Sequence, residues 1–439
     1  MNKTLLIKDI NTSNVPFFSK LVTIVLLLDS VLSIYGTEAT SVSALVQAAC
    51  FIVYILFYAP RKRISSQIGS LPRWLIWYFL YLIAISAATG SFPLGNIKIL
   101  LWYIVFFNVI DIRFLLKSYQ TLAVFIIGFF YIQELTFWTT GFRVLGFIPG
   151  MPIRLIAAEG DVQGYLSEVA TNTRSFSIFS EPAHLAQWLF PLLCIRLFSP
   201  KYRSLWRALL IAITLLLTKS GNAMFGLGAV GTFYIYNNLL KSGSLTSKIH
   251  ALFIVVVCTF SVFFFLNSSL GEEVMDRKET LSVTNEMDKG YATSSFMRVY
   301  RGYFIYADYS TIEKILGNPS DDAFWQHASK SGISDLFKEH DSYLNTVHRI
   351  LIFTGLVGVF LIIMFIANLW RDNTTSARAL LFVWIVFSFI SSGFFTGYTS
   401  IYLAFVYFMK KQNIKSQRSQ LLRKRDREID EVIPVRLNV

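Results

Sequence analysis

Along this chain the hydrophobic positions gather in long unbroken blocks, and the polar positions fall in short breaks between them and in two longer stretches. The blocks lack the strict alternation of a lipid-facing strand and approach the roughly 17 to 25 residues that a helix needs to cross a bilayer. They predict helices at about 15–35, 41–59, 74–89, 97–111, 119–138, 183–198, 207–219, 221–239, 249–267, 347–368, 379–393 and 396–409. The expected fold is all-α: a polytopic membrane bundle of about twelve transmembrane helices, because in lipid a helix satisfies its own backbone.

The polar breaks give this bundle two sides. With the amino terminus in the cytoplasm, alternate connections carry Arg61, Lys62, Arg63 and Arg73, then Arg113 and Lys117, then Lys201, Arg203 and Arg207, then Lys241 and Lys248, then Arg371 and Arg378. Each of these returns is basic, as cytoplasmic loops are. The long stretches, near 139–182 and 268–346, fall on the opposite face. The division expected is residues 1–267 with nine spans and the smaller external loop, 268–346 as the large external loop, 347–409 with three spans, and 410–439 as a basic cytoplasmic tail. The tail holds nine basic and four acidic residues, whereas 268–346 holds eight basic and thirteen acidic. Both long loops are rich in aromatic and apolar residues, which argues for ordered, functional segments.

Composition agrees. Hydrophobic residues make up 54% of the chain and charged residues 15%, against about a quarter charged in soluble domains. A net charge of +13 would suggest nucleic acid in a soluble protein, but here it flanks the spans, so no nucleic-acid partner is expected. Cys50, Cys194 and Cys258 all lie in apolar blocks and predict neither a disulfide framework nor a zinc site. The first apolar run, from Val15 to about Tyr35, has a basic start but no small-residue cleavage site, and reads as a retained span.

Candidate chemistry gathers where the long loops meet the bilayer. The smaller one ends in RSFSIFSEPAHLAQWLF. Arg174 stands there among apolar residues and needs an anionic partner, either Glu181 or a ligand phosphate. Glu181 and Pro182 also read as a helix start. Lys219 is either an interfacial lysine or a phosphate contact. In the large loop, Arg298 and Arg301 are three residues apart and would share a helical face, presenting two planar forks to phosphate or to lipid headgroups. Tyr300, Tyr303 and Tyr343 read as interfacial aromatics. His340 can take a proton from a hydroxyl at neutral pH. His327 and His348 read as solvated side chains, and His184 and His250 as packing residues. No Walker loop, H-E-x-x-H or nucleophile elbow is present. Asp321 and Asp322 read as turn chemistry, so neither a metal nor another cofactor is expected.

Four segments in order, RSFSIFSEPAHLA, the TKSGN turn, RVYRGYFIYADYSTIEKILGNPSDD and HDSYLNTVHRILIFTGLVGVFL, resemble the bacterial O-antigen polymerases and the related O-antigen ligases over about residues 170 to 370. The resemblance implies metal-independent glycosyl transfer at the periplasmic face of the inner membrane, with both termini cytoplasmic. The donor and acceptor would be glycans on undecaprenyl pyrophosphate. In that frame Arg298 and Arg174 would meet the pyrophosphate, with Arg301 and Lys219 as secondary contacts. His340 would orient or deprotonate the acceptor hydroxyl, and Glu181 would position Arg174 or the acceptor sugar. Membrane lipid and a separate chain-length regulator are further candidate partners. A ligase moving finished glycan to a lipid A-core acceptor would share donor, site and leaving group; the RSFSIFSEP form of the first motif favours the polymerase. A flippase is the alternative of a different class. Transporters, however, gather charge at the bilayer midplane in two similar halves, and here the candidates gather at one face with no internal repeat.

Overall fold

The computed structural model describes residues 14–37, 39–61, 72–91, 94–154, 162–171, 174–240, 297–330, 344–391 and 397–432. Among them are fifteen α-helices and no named strand; isolated bridges join Tyr35 to Ile153 and Gly36 to Ser41. The first nine helices are α1 (Phe17–Leu32), α2 (Val42–Val53), α3 (Arg73–Ala88), α4 (Leu94–Val109), α5 (Ile112–Thr140), α6 (Val162–Thr171), α7 (Pro182–Phe198), α8 (Leu205–Leu217) and α9 (Gly221–Ile235). The polar segment supplies α10 (Gly302–Ala307), α11 (Thr311–Leu316) and α12 (Asp321–Lys330), and the chain closes with α13 (Thr346–Trp370), α14 (Thr375–Ser388) and α15 (Gly397–Val432).

A helix lies over every apolar block except the one at 249–267, which falls outside the described residues. Two of them, α5 with 29 residues and α13 with 25, are long and apolar enough to cross a membrane. The other apolar helices are shorter, so the count of twelve crossings does not follow from helix length. One boundary differs from expectation. The tail does not separate from the last block: α15 runs without interruption through Val432, because no proline or glycine occurs between Tyr398 and Ile433. At 36 residues it is about 54 Å long.

Local signals set several helix starts. Asp111 caps α5 by accepting from the amides of Arg113 and Phe114, and Gly141 closes it in the left-handed region. Ser41 caps α2, Thr374 caps α14, and Asn345 caps α13 through the His348 amide at 2.8 Å. Proline takes the first position of α7, where its missing N–H costs nothing.

The centre of the bundle is α7. It is buried around nearly its whole circumference, from Leu185 through Arg196, as befits a helix apolar on every side. Helices α8, α9, α14 and α15 pack around it. Its backbone also takes tertiary hydrogen bonds: Tyr402 Oη donates to the Gln187 carbonyl at 2.6 Å and Tyr119 Oη to that of Trp188. The Trp188 indole in turn donates to the Leu27 carbonyl at 2.9 Å.

A second feature is a break in α13. Gly355 sits at φ 57°, ψ −160° inside the helix, and the carboxyl end of α11 fills the gap. Gly317, itself at φ 80°, lies backbone to backbone against Thr354 and Gly355. The Asn318 amide donates to the Ile352 carbonyl at 2.8 Å, and Tyr81 Oη of α3 reaches the Leu316 carbonyl at 2.5 Å. Ile305, Tyr309, Phe324, Ala328, Leu344 and Ile352 form a small separate core on the same side. The polar segment is thereby seated on the first half of α13.

A Cβ at position 355 would lie 2.5 Å from both the Gly317 nitrogen and the Ile315 oxygen. Gly355→Ala is expected to cost on the order of 2–4 kcal/mol, combining left-handed strain with overpacking, and to lower the unfolding midpoint in detergent. Gly228→Ala in α9, where nothing lies within 4 Å, should not lower it. Equal midpoints for the two variants would show that the junction is not tight.

Candidate functional site

The site is built from two segments far apart in sequence, each held by a buried carboxamide. The first is the strap 174–181 leading into α7. Gln133, fully buried on α5, donates from Nε2 to the carbonyls of Val144 (2.8 Å) and Ser177 (3.0 Å) and accepts from the Ser177 amide at 2.7 Å. Ser177 takes a left-handed φ of 57°, which this network holds, and its hydroxyl donates to the Ile126 carbonyl at 2.8 Å. Gly146 makes room for it, since a Cβ there would meet the Ser177 oxygen.

Arg143 ties the strap a second time. Its guanidinium is buried, stacked 3.9 Å from the Phe137 ring centre, and donates to Ser175 Oγ at 2.7 Å and Glu134 Oε1 at 3.3 Å. Burial pulls this guanidinium below its ordinary range, with Glu134 opposing. Phe176 and Phe179 fill the core beneath. The strap therefore delivers Ser180, Glu181 and His184 at a fixed place on the rim of α7.

The second segment is Met297–Arg301, wound as a single π-helical turn before α10. Asn345 Nδ2 donates to the Arg298 carbonyl at 2.7 Å and to the Phe389 carbonyl at 2.8 Å, so one side chain caps α13 and joins this turn to the end of α14. His348 lies fully buried behind it. Its ring rests on Gly302, where a Cβ would be only 2.1 Å from Cγ, and meets the Tyr303 ring edge-on at 4.5 Å. The expectation of a solvated His348 is corrected: glycine at 302 leaves the space in which the imidazole packs.

The two segments are joined through α14: Asn345 bonds both the Arg298 and the Phe389 carbonyls, and α14 packs on α7, whose first turn carries His184. The imidazole Nδ1 is 2.8 Å from Ser180 Oγ, and its amide donates to the Glu181 carbonyl at 3.1 Å. Arg298 and His184 are half-buried and Glu181 is exposed.

The other candidates are distributed differently. Arg301 does not share a face with Arg298; it is 1% exposed and lies over the Phe324 and Trp325 rings at 5.9 and 5.4 Å. The π turn, rather than a regular helix, separates the two arginines. Arg174 is half-buried at the start of the strap, and the deeply buried arginine of this loop is Arg143. Lys219 occupies the α8–α9 turn at φ 50°; among the described residues no hydrogen bond of its ammonium joins it to the cluster. Tyr300 is half-buried on the π turn and Tyr303 exposed beside His348. His340 and Tyr343 fall outside the described residues.

His327 is not simply solvated either. It stands 3.4 Å from Glu313 and stacks on Tyr309 at 4.5 Å. Among the described residues no three of His, Cys, Asp and Glu gather as metal ligands. An open apolar groove of about 450 Å³ between α3 and α13, lined by Trp74, Trp77, Leu80, Tyr81 and Leu361, lies on the flank of the bundle and contains none of the cluster residues.

Gln133, Arg143 and Asn345 carried no expectation, yet each had a signal. Gln133 and Arg143 are polar residues in or beside apolar runs, which demand partners. Asn345 directly precedes a long apolar block, as a cap does.

Glu313 supports a prediction about pH. Burial raises its proton affinity, but hydrogen bonds from Asn318 and from the Ser310 side chain and amide, with His327 nearby, outweigh that and hold the carboxyl at about 2 instead of 4.5. A depressed carboxyl contributes stability that is full above 4.5 and lost as pH falls towards 2. The midpoint difference between wild type and Glu313→Gln should therefore shrink across that range, and a difference independent of pH would contradict the assignment. No family model, curated protein or solved structure matches the chain.

Proposed function

We propose that this protein is a surface-polysaccharide polymerase of the O-antigen type. It joins glycan repeat units carried on undecaprenyl pyrophosphate, in a bundle of about twelve transmembrane helices with both termini in the cytoplasm and the site on the periplasmic face of a bacterial inner membrane. The observation that carries the reading is that Asn345 joins the Arg298 carbonyl to the end of α14, which packs on α7, the helix whose start carries Glu181 and His184. These residues come from two separate motifs of the resemblance, more than a hundred positions apart. Exposed Trp138, Trp206 and Phe17 at helix ends support a membrane setting, since large uncovered aromatics at those positions suit an interface.

The chemistry follows from the residues. An acceptor hydroxyl attacks the anomeric carbon of the donor, and the leaving lipid pyrophosphate gains negative charge. A guanidinium held by its own backbone, as Arg298 is through Asn345, meets that charge without reorganising, which is where electrostatic catalysis gains most. Arg174 and Lys219 are further phosphate contacts. Arg301, with its ring-stacked guanidinium, serves by holding the π turn. His340 orients or deprotonates the acceptor, Glu181, Tyr300 and Tyr343 bind sugar, and a chain-length regulator is a candidate partner.

The break in α13 is a feature that transporters share. Here the α11 backbone fills it, which favours a fixed seat over a moving gate.

Reconstituted protein given a defined lipid-linked repeat should lengthen it. Movement of that repeat across vesicles without lengthening would favour transport, and transfer only to a lipid A-core acceptor would favour ligation. Arg298→Ala should raise the KM for donor and lower turnover by about a hundredfold or more. Arg298→Lys should recover little, because an ammonium lacks the fork. His340→Ala should stop extension while the protein stays in the membrane; wild-type chain lengths from that variant would remove His340 from the site.

A further inference from the structure

We propose that the turn between α7 and α8 binds the phosphate of an anionic lipid headgroup, with the acyl chains lying along α8. The site is at the other end of α7 from Glu181, roughly 21 Å along the helix at 1.5 Å per residue, and it owes nothing to the polymerase reading. Its charge is one-sided. Between Glu181 and Glu272 the sequence holds no aspartate or glutamate and seven lysines and arginines. Four of these, Arg196, Lys201, Arg203 and Arg207, fall in the last turn of α7, the connection and the first turn of α8.

Arg196 is the enclosed member, 4% exposed. Its Nη1 donates to the Tyr202 carbonyl at 3.1 Å, and the Ser204 amide donates to the Arg196 carbonyl at 3.0 Å. The guanidinium therefore lies against the turn that leads into α8. Its Nε meets no acceptor among the described residues, and none of the ion pairs among them involves it. That leaves an edge of the planar fork for an oxygen acceptor such as phosphate. A cation at the carboxyl end of α7 is ordinary in itself. Arg207 is not ordinary: it stands half-buried in the first turn of α8, the positive end of a helix, where a cation is disfavoured unless an anion lies there. Ser204 gives that helix start no side-chain cap, and phosphate is the kind of acceptor that helix starts take.

The rest of α8 says which phosphate. Ala208, Ile211, Thr214 and Leu215 form its buried face. Trp206, Leu209, Ile213 and Leu216 recur at helical spacing on the other face and are exposed, Trp206 by 80%. An apolar stripe headed by a cluster of cations matches an amphiphile with a phosphate at its head. A free phosphate ion would use the cluster and leave the stripe uncovered. In the proposed orientation this is the cytoplasmic leaflet, where basic pockets between helices meet anionic lipid.

The test uses the full chain, purified in detergent and stripped of lipid, then titrated with dioleoyl phosphatidylglycerol, dioleoyl phosphatidylcholine or inorganic phosphate. Bound lipid is counted by native mass spectrometry and the unfolding midpoint is followed in parallel. Phosphatidylglycerol should bind about tenfold or more tightly than phosphatidylcholine, whose choline the same cations repel, and should raise the midpoint. Inorganic phosphate at equal concentration should not raise it. Arg203→Gln and Arg207→Gln should each weaken phosphatidylglycerol about fivefold, and Arg196→Lys should weaken it further, because an ammonium lacks the fork. Lys411→Gln, exposed on α15, should leave it unchanged. If Arg196→Lys does not fold, the Arg203 and Arg207 variants decide the matter. Equal affinity for the two lipids overturns the proposal, as does an equal loss from Lys411→Gln and Arg207→Gln, which would reduce the site to general surface charge. Inorganic phosphate that raises the midpoint as far as phosphatidylglycerol does would make a free anion the ligand and overturn the lipid assignment.

Discussion

Two buried carboxamides hold the candidate site together. Gln133 binds the strap to α5 through two hydrogen bonds to Ser177 and adds a third to the Val144 carbonyl, and Asn345 binds the π turn to α13 and α14 through another three. Each bond is worth only about 0.5–1.5 kcal/mol net, but a buried carbonyl or amide left without its partner costs about 1–3 kcal/mol. Where water is scarce the alternative to the native arrangement is an unsatisfied backbone, so these side chains dictate geometry more than they add stability. An apolar clamp of similar size could fill the space but could not choose which carbonyl it faces.

The central helix extends the same logic. With nearly every side of α7 buried, its position is set by four neighbours at once, and its first turn inherits that rigidity. At the start of this helix Glu181 is exposed and Ser180 and His184 are half-buried. Side chains at the start of such an element inherit its fixed position.

The helices were largely legible in the sequence because long apolar blocks leave the backbone no other option. Helix ends were set by Asp111, Ser41, Thr374 and Asn345, all of them capping residue types. What escaped was tertiary. Arg298 and Arg301 look alike in sequence, and only the π turn and the Phe324 and Trp325 rings divide them. The break at Gly355 looked like one more small residue in an apolar run, since its meaning depends on Gly317 lying opposite. His348 read as solvated because nothing in its neighbours announces that Gly302 lies over it. Continuation of the last helix into the tail was available from the missing helix breakers, but charge drew attention to a boundary that the backbone ignores.

The polar excursion between Asn318 and Asn345 leaves from and returns to a single helix. It departs where the Asn318 amide meets Ile352 and comes back where Asn345 caps α13. Its two ends are thus pinned within a few turns of each other, and doubling the length of such a closed loop costs only about 0.6 kcal/mol. Descendants of this chain could therefore change the length of that stretch, provided Phe324 and Trp325 stay over Arg301 and so hold the π turn that carries Arg298. On the proposed polymerase reading, such changes would alter how the acceptor is met while Arg298 and the strap stay in place.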